Sequence, residues 1–293
     1  MKVEFVTGET FGTRSMATVV KKKGKCLFID PGVALAPWRS GLRPHPIETE
    51  RKEQHWLKIK GILKDCDYVV ITHYHFDHFN IKEPEVFRDK IVFLKDPDNN
   101  INWSQHKRAF VLLKNIRPLA KEIRISDGLE FDLGWVRLKF SHPVFHGATS
   151  RLGYVTEVFL QNHTGNFLFT SDVQGPIHEE QTEFIIKNSP EIVYVDGPMI
   201  YLLGNAYSEE SLKRARKNLK KILQLDSLKT LIIDHHMTRS LEWEKYLEDV
   251  FEEAEKMGKR ILTAAEFMGE ENTYLEARRK DLYKLYPVDK NKK

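Results

Sequence analysis

The apolar run Tyr68-Val69-Val70-Ile71 and the stretch after it, Thr72-His73-Tyr74-His75-Phe76-Asp77-His78, constrain this chain more than any other feature. Four consecutive β-branched or aromatic residues read as a buried strand. Along an extended backbone, residues two apart share a face, so His73 and His75 point the same way, with Asp77 and His78 in the loop that follows. Imidazole nitrogens and a carboxylate oxygen are the ligand set of zinc or a similar first-row ion. With only 12 histidines among 293 residues, three of them beside an aspartate directly after a strand point to a metal site. Four such groups can hold parts of two ions.

The length allows one large domain or two ordinary ones, and a hydrophobic content of 41% supplies a substantial core. No apolar run approaches the roughly eighteen residues of a membrane span. The opening Met1-Lys2-Val3-Glu4-Phe5-Val6 reads as a strand rather than a signal peptide, which points to the cytoplasm. Cys26 and Cys66 give no disulfide framework; both are expected as buried thiols in a reducing setting. A net charge of +4 permits an anionic substrate. It falls short of the dense basic face of a dedicated nucleic-acid binder. Nothing in the sequence fixes the oligomeric state.

Strands are expected at Ala17–Val20 and Cys26–Asp30, joined by a hairpin at Gly24. Pro31 to Pro46 is a proline-rich loop, followed by a helix from Ile47 to Leu63 and then the strand at Tyr68. Asn102–Ile116 reads as helical. Short strands follow at Lys121–Ile125, Leu129–Asp132, Val136–Ser141, Tyr154–Gln161 and Asn166–Thr170. The last third alternates helix and strand: Ile177–Lys187 helical, Glu191–Val195 a strand, then a helix capped by Ser208 with the stripe Leu212, Ala215, Leu219, Ile222 and Leu223. Thr230–Asp234 and Arg260–Thr263 are strands around a helix capped by Ser240. The Lys/Arg-rich tail at 279–293 is expected to fray. Helices flanking a strand-rich middle suit an α/β (α+β) architecture of helices outside two packed sheets.

The spacing His-x-His-x-Asp-His resembles the signature of the metallo-β-lactamase superfamily. That resemblance implies a four-layer αββα sandwich formed by residues 1–293 as a single domain, with the loop and helix at 37–64 inserted near the site. It also implies further site residues in a fixed order, each at a strand end. Leu27-Phe28-Ile29-Asp30-Pro31-Gly32 matches the first element, with Asp30 orienting a ligand rather than binding metal. His146, followed by Gly147, is preferred over His142 for the third element, because its distance to Gly153-Tyr154 resembles phosphodiesterase-like relatives such as ribonuclease Z. Asp172, after Asn166–Thr170, is preferred over Asp196 for the fourth. His235, with Arg239 four residues on, is preferred over His236 for the fifth.

The implied chemistry is binuclear. One divalent ion takes His73, His75 and His146, the other Asp77, His78 and His235, with Asp172 bridging and a hydroxide between them as nucleophile. Zinc is the expected metal, with manganese and iron as the other choices. Asp77, Asp30 and His236 are assigned to catalysis, while His45, His142 and Tyr74 are further candidates for proton donor. In the loop Trp38–Pro46, Arg39, Arg43 and His45 are candidates for binding substrate. This loop resembles an archaeal branch of the superfamily that leaves the substrate open. The expected activity is hydrolysis of a small molecule or phosphodiester, with ester, thioester or lactone cleavage as the alternative. A di-iron redox protein is the reading from another class, which the absence of room for a flavodoxin-like domain disfavours. A ligand-binding scaffold without catalysis would be expected to lack some of the seven metal donors.

Overall fold

The computed structural model describes residues 1–288. The first half of the chain forms β1 (Lys2–Phe5), β2 (Thr18–Lys22), β3 (Lys25–Ile29), α1 (Pro46–Leu63), β4 (Tyr68–Ile71), β5 (Ile91–Leu94), α2 (Trp103–Ile116) and β6 (Glu122–Ile125). Its strands lie side by side in chain order. The pairs from β1 to β3 are antiparallel and those from β3 to β6 parallel. The second half forms β7 (Glu130–Asp132), β8 (Arg137–Phe140), β9 (Val144–Phe145), β10 (Tyr154–Val155), β11 (Val158–Asn162), β12 (Gly165–Phe169), α3 (Glu180–Asn188), β13 (Ile192–Val195), α4 (Glu209–Leu223), β14 (Thr230–Ile233), α5 (Glu248–Lys256), β15 (Arg260–Leu262), α6 (Ala264–Phe267) and α7 (Arg279–Leu285). Its main sheet has the order β15-β14-β13-β12-β11-β8-β7, and β9 pairs with β10 separately.

The alternation of side chains along the strands builds the layers. In β4, Val70 faces a core between the sheets with Phe5, Leu27, Phe93, Leu138, Leu160, Phe167 and Tyr194. Val69 and Ile71 face the other way, under Trp56, Ile59 and Leu63 of α1 and Leu112 and Ile116 of α2. Both faces of β4 are therefore buried, which is why its sequence is a continuous apolar run. In the second sheet, Leu168, Val193, Leu231 and Ile233 lie under Ile185, Leu212, Leu219, Ile222 and Val250 from α3, α4 and α5. The result is a four-layer αββα sandwich. Among the described residues, no helix is long and apolar enough to cross a membrane.

Several local expectations are corrected. Ile91–Leu94, which carries no turn signal of its own, pairs with β4 as an additional strand. The stretch Tyr154–Gln161 breaks into β10 and β11 at Thr156, whose backbone N–H and hydroxyl both donate to the Thr72 carbonyl, at 3.1 and 3.3 Å. Ser240 is extended and ends the 3₁₀ turn Met237–Arg239 rather than starting a helix; a second 3₁₀ turn at Trp243–Leu247 precedes α5. The tail does not fray at Arg279: α7 is docked, with Arg279 fully buried against Glu48 at 2.8 Å. Residues 289–293 of that tail lie outside the described residues. Cys26 and Cys66 are bonded to each other rather than free. Parallel pairing of Leu27 with Tyr68 and the bond from Asp67 N to the Cys26 carbonyl bring their backbones to a Cα–Cα distance of 4.4 Å. That bond removes the support that free thiols lent to a reducing compartment.

Candidate metal centre

Strands β3, β4, β12, β13 and β14 all end on the same side of the sandwich, and Asp30, His73, Asp172, Asp196 and His235 each follow one to three residues after those ends. Regular β4 stops at Ile71, yet the alternation continues past it. His73 and His75 meet, Nε2 to Nδ1 at 3.0 Å, while Tyr74 between them turns inward and donates its hydroxyl to the Lys95 carbonyl. Three residues leave their strands with left-handed backbone, Asp30 at φ 50°, Ser171 at 59° and His235 at 62°. Non-glycine residues there are strained and concentrate at functional sites. Gly32 is needed for close approach: a Cβ on it would lie 2.2 Å from the Phe79 nitrogen, directly after the His73–His78 loop.

The donor atoms of His73, His75, His146 and Asp172 lie within 4.8 Å of one another, as do those of Asp77, His78 and His235. The Asp172 carboxylate stands between the groups. Its Oδ2 is 3.2 Å from His146 Nε2 and 3.6 Å from His73 Nε2; its Oδ1 is 3.1 Å from His78 Nε2 and 3.6 Å from His235 Nε2. His235 Nε2 also lies 3.5 Å from Asp77 Oδ2. His78 Nε2, both ring nitrogens of His146 and Asp172 Oδ1 are buried without hydrogen-bond partners. Each such orphan costs about 1–3 kcal/mol unless something else satisfies it. Convergent, orphaned nitrogen and oxygen donors without thiolate fit a first-row or similar divalent cation.

The electrostatics of His73 and His75 match that fit, whereas Asp172 and Asp30 outweigh burial at His78 and raise it well above the ordinary imidazole value. Burial, reinforced by His78, pushes His73 well below the ordinary imidazole value, and burial with His146 takes His75 down to about 3. Neutral imidazole is the form that ligates metal. Burial opposes charge on Asp172, but the facing His78 and His235 hold its carboxyl well below the usual carboxylate range.

An outer ring of contacts aims these donors. Asp30 takes the Nδ1 side of His78 at 2.8 Å and two bonds from Thr72, leaving His78 Nε2 toward Asp172. Ser171 Oγ holds His73 Nδ1 at 3.1 Å. Asp196 holds His236 Nδ1 at 2.9 Å, and His236 shares a donor cluster with Asp172 and His235. Sequence reasoning passed over Asp234, which accepts from the His235 and Ala264 nitrogens and from the hydroxyls of Thr10 and Thr238, fixing the turn into His235. It also passed over Glu9 and Tyr201, which accept from Arg239 Nε and Nη1, each at 3.1 Å. The same Arg239 reaches His235 Nε2 at 3.0 Å through Nη2. Asp234 sits beside two histidines and could have been suspected; Glu9 and Tyr201 carry no local signal.

Of the paired candidates, His146 and Asp172 join the cluster. His142 is exposed and packs against Gly128 instead. Arg39 lies beside the centre: its Nη2 donates to the Arg239 carbonyl at 2.6 Å and its guanidinium covers the Tyr201 ring at 4.6 Å. One substrate-loop expectation is corrected. His45 is buried as the N-cap of α1, with Nδ1 accepting from Ile47 and Nε2 bonded to the Tyr286 carbonyl, so neither nitrogen is free for substrate. Arg43 is exposed and rests on Trp38. Tyr74, with its hydroxyl spent on Lys95, is no proton donor here.

A sandwich of this topology with histidines and aspartates gathered at its strand ends defines a member of the metallo-β-lactamase superfamily, and residues 11–80 match the sequence pattern described as the Metallo-beta-lactamase superfamily. Within it, the chain belongs to the UPF0282 family. It is 46% identical over 292 residues to the UPF0282 protein of Korarchaeum cryptofilum (strain OPF8), covering 99% of this chain and 97% of that one. It is 43% identical over 288 residues to the UPF0282 protein of Sulfurisphaera tokodaii, covering 97% and 93%. Among solved structures the fold is similar to an isothiocyanate hydrolase from Delia radicum gut bacteria (TM-score 0.56, 17% identity, 86% of this chain and 94% of that one). It is also similar to unliganded yeast PDE1 (TM-score 0.55, 13% identity, 89% and 96%). A third similar fold is CmlA, a diiron β-hydroxylase from Streptomyces venezuelae (TM-score 0.53, 12% identity, 89% and 52%).

Proposed function

We propose that this chain is a binuclear metal-dependent hydrolase acting on phosphodiester substrates. The observation that carries the reading is the Asp172 carboxylate, whose Oδ1 faces the buried, partnerless Nε2 of His78 and whose Oδ2 faces that of His146. His73, His75, His146 and Asp172 would hold one cation, and Asp77, His78, His235 and Asp172 the other. When bound, such cations acidify water from a pKa of about 15.7 towards 7 and polarise the scissile group. The protein's own part is orientation and charge. Asp77, the more open carboxylate at 16% exposure, orients the attacking water. His236, held by Asp196 through Nδ1, stands beside Asp172 and His235, where it takes part in proton transfer. Asp30 keeps His78 turned toward the centre.

The phosphodiester preference rests on positive charge beside the ligands. Arg239 is 3.9 Å from Asp77, and Arg39 stacks on the Tyr201 that Arg239 also engages. Burial and Glu276 push the Glu9 carboxyl, which is hydrogen-bonded to Arg239, above the usual carboxylate range. The similar gut-bacterial protein is named an isothiocyanate hydrolase, which agrees with hydrolysis without choosing the bond.

Metal analysis of the purified protein and a panel of bis(p-nitrophenyl) phosphate, lactones and thioesters, with added zinc, manganese or iron, tests the proposal. The expected result is two zinc per chain and phosphodiester turnover that Asp77→Ala abolishes while melting stays cooperative. Lactone or thioester turnover alone would transfer the assignment to carboxylic ester chemistry. Iron alone with a visible absorption band would transfer it to di-iron redox chemistry, and full activity in Asp77→Ala would defeat the mechanism.

A further inference from the structure

Two guanidiniums, Arg39 and Arg239, stand beside the centre, whereas a phosphodiester carries a single negative charge. Arg39 is the group left over. It sits on a tight turn whose backbone N–H and carbonyl pair with those of Leu42 at 2.9 Å, and the Leu42 carbonyl also accepts from the buried Arg279. One Arg39 Nη2 proton goes to the Arg239 carbonyl at 2.6 Å; among the described residues, its Nε and Nη1 donate to nothing. Tyr201, on the 3₁₀ turn Ile200–Leu202, lies under that guanidinium with its ring centroid at 4.6 Å. Its hydroxyl accepts from Arg239 Nη1 at 3.1 Å, and among the described residues its own proton goes to no acceptor. Arg39 and Tyr201 are both half-buried, so each remains partly open to solvent.

The unassigned atoms of this patch are all donors. Carboxylates of the same neighbourhood are engaged elsewhere: Glu276 grips Arg14 with both oxygens, and Glu9 holds Arg239 through Nε. Donors without acceptors select an oxyanion, and a planar guanidinium with a free edge beside a hydroxyl suits phosphate. The turn and the stack on Tyr201 already fix Arg39, so little side-chain freedom is left to lose on binding. Arg239 spans the gap to the centre, with Nη1 at Tyr201 and Nη2 3.0 Å from His235 Nε2. Arg39 and Tyr201 are thus one guanidinium removed from the metal donor His235. That step sets them apart from the group that lies across the two cations and places them beside its neighbour on the same substrate.

We infer that Arg39 and Tyr201, with the Nη1 edge of Arg239, form an anion subsite that holds a second, uncleaved phosphate of the substrate. The inference rests on the hydrolase reading above and narrows it to substrates that carry a phosphomonoester next to the phosphodiester to be broken. A second phosphate brings the negative charge that a lone diester lacks, and its oxygens accept from the Arg39 edge and from the Tyr201 O–H together.

Calorimetric titration of metal-loaded, full-length protein with propane-1,3-diyl bisphosphate and with propyl phosphate tests this, with metal analysis of each variant before and after titration. The wild type should bind the bisphosphate at least about tenfold more tightly than the monophosphate. Arg39→Met should reduce that ratio to under about threefold with metal content unchanged, and Arg39→Lys, which keeps the charge but not the planar edge, should fall between. Tyr201→Phe, which keeps the ring under Arg39 and removes the O–H, should lower the ratio about threefold. Equal affinities in the wild type, or a ratio that survives either Arg39→Met or Tyr201→Phe, would overturn the assignment. A chain that takes up no metal would defeat the hydrolase reading separately. Inorganic phosphate titrated into that chain should still bind the wild type at least about tenfold more tightly than Arg39→Met, and equal binding would overturn the subsite as well.

Discussion

Replacing Asp30 by asparagine tests the centre with almost no change of shape. Asp30 is buried and accepts from the Thr72 nitrogen through Oδ1 at 2.8 Å, and through Oδ2 from the Thr72 hydroxyl at 2.5 Å and His78 Nδ1 at 2.8 Å. With its Nδ1 proton committed to Asp30, His78 keeps its Nε2 lone pair, 3.1 Å from Asp172 Oδ1, for a cation that both groups would share. An amide offers one acceptor oxygen and an NH₂ that only donates. If the amide oxygen keeps the Thr72 nitrogen, the NH₂ faces His78, which must move its proton to Nε2 and cover the lone pair that binds metal. If the amide flips, the NH₂ faces the Thr72 N–H and leaves a buried donor unpaired, at about 1–3 kcal/mol. The first arrangement weakens metal binding and the second weakens the fold.

Losing the partner that orients a metal-bound histidine typically lowers affinity about 10–100-fold, or roughly 1.4–2.7 kcal/mol. At roughly 2.1 cal/mol/K of unfolding entropy per residue, 293 residues give about 0.6 kcal/mol/K, so the metal-loaded melting temperature should fall by about 2–4 °C. Competition with a fluorescent chelator should resolve the loss as one weakened equivalent, since His73, His75 and His146 do not touch Asp30 through a hydrogen bond. Two equivalents bound with wild-type affinity, together with an unshifted melt, would refute the reasoning.

Other variants probe the frame around the centre. Arg279→Met should cost about 3–5 kcal/mol in thermal or chemical melts because it strands the fully buried Glu48 carboxylate, and adding Glu48→Gln should recover most of it. Reducing the Cys26–Cys66 bond, which spans 40 residues, should cost about 4 kcal/mol by the chain-entropy relation, read as a lower denaturation midpoint in reductant than in oxidant. Burial, helped by Arg51 and Lys58, takes His55 down to about 3, so the unfolded chain binds its proton below pH ~6.5 while the folded chain does not. Stability should therefore fall as pH drops from about 6.5 towards 3, by up to about 1.4 kcal/mol per pH unit from this residue, and His55→Asn should show a correspondingly shallower slope in urea titrations.

Much of the centre was legible because covalent spacing alone brings it together. His73 to His78 are consecutive, and Asp172 and His235 each follow an apolar run whose strand character forces its end to one side of a sheet. The choice between His146 and His142 depended on resemblance, and the structure separates them by where β9 turns. Contacts that shape the surroundings were not legible for a plain reason. Arg239 meets Glu9 across 230 residues and Arg14 meets Glu276 across 262, and no periodicity records a pairing at that distance. The cysteines failed differently: the sequence identified both strands, but only the parallel register of β3 with β4 sets the two sulfurs together.

The same long-range pairs bear on where specificity resides. The superfamily donors come from strand ends that every such sandwich supplies, so they say little about substrate. What surrounds them here is held by the C-terminal segment: Glu276 grips Arg14 with both oxygens at 2.6 and 2.7 Å, Arg279 binds Glu48 and the Leu42 carbonyl, and the Tyr286 carbonyl takes His45. The loop bearing Arg39 is thus fixed at its far end by residues 276–286 and at its near end by the Arg239 carbonyl. A loop pinned at both ends loses little further entropy when it meets substrate, which is how pre-organisation turns contacts into affinity. Residues 279–286 of the segment that reads as a basic tail thus brace the loop that bears Arg39.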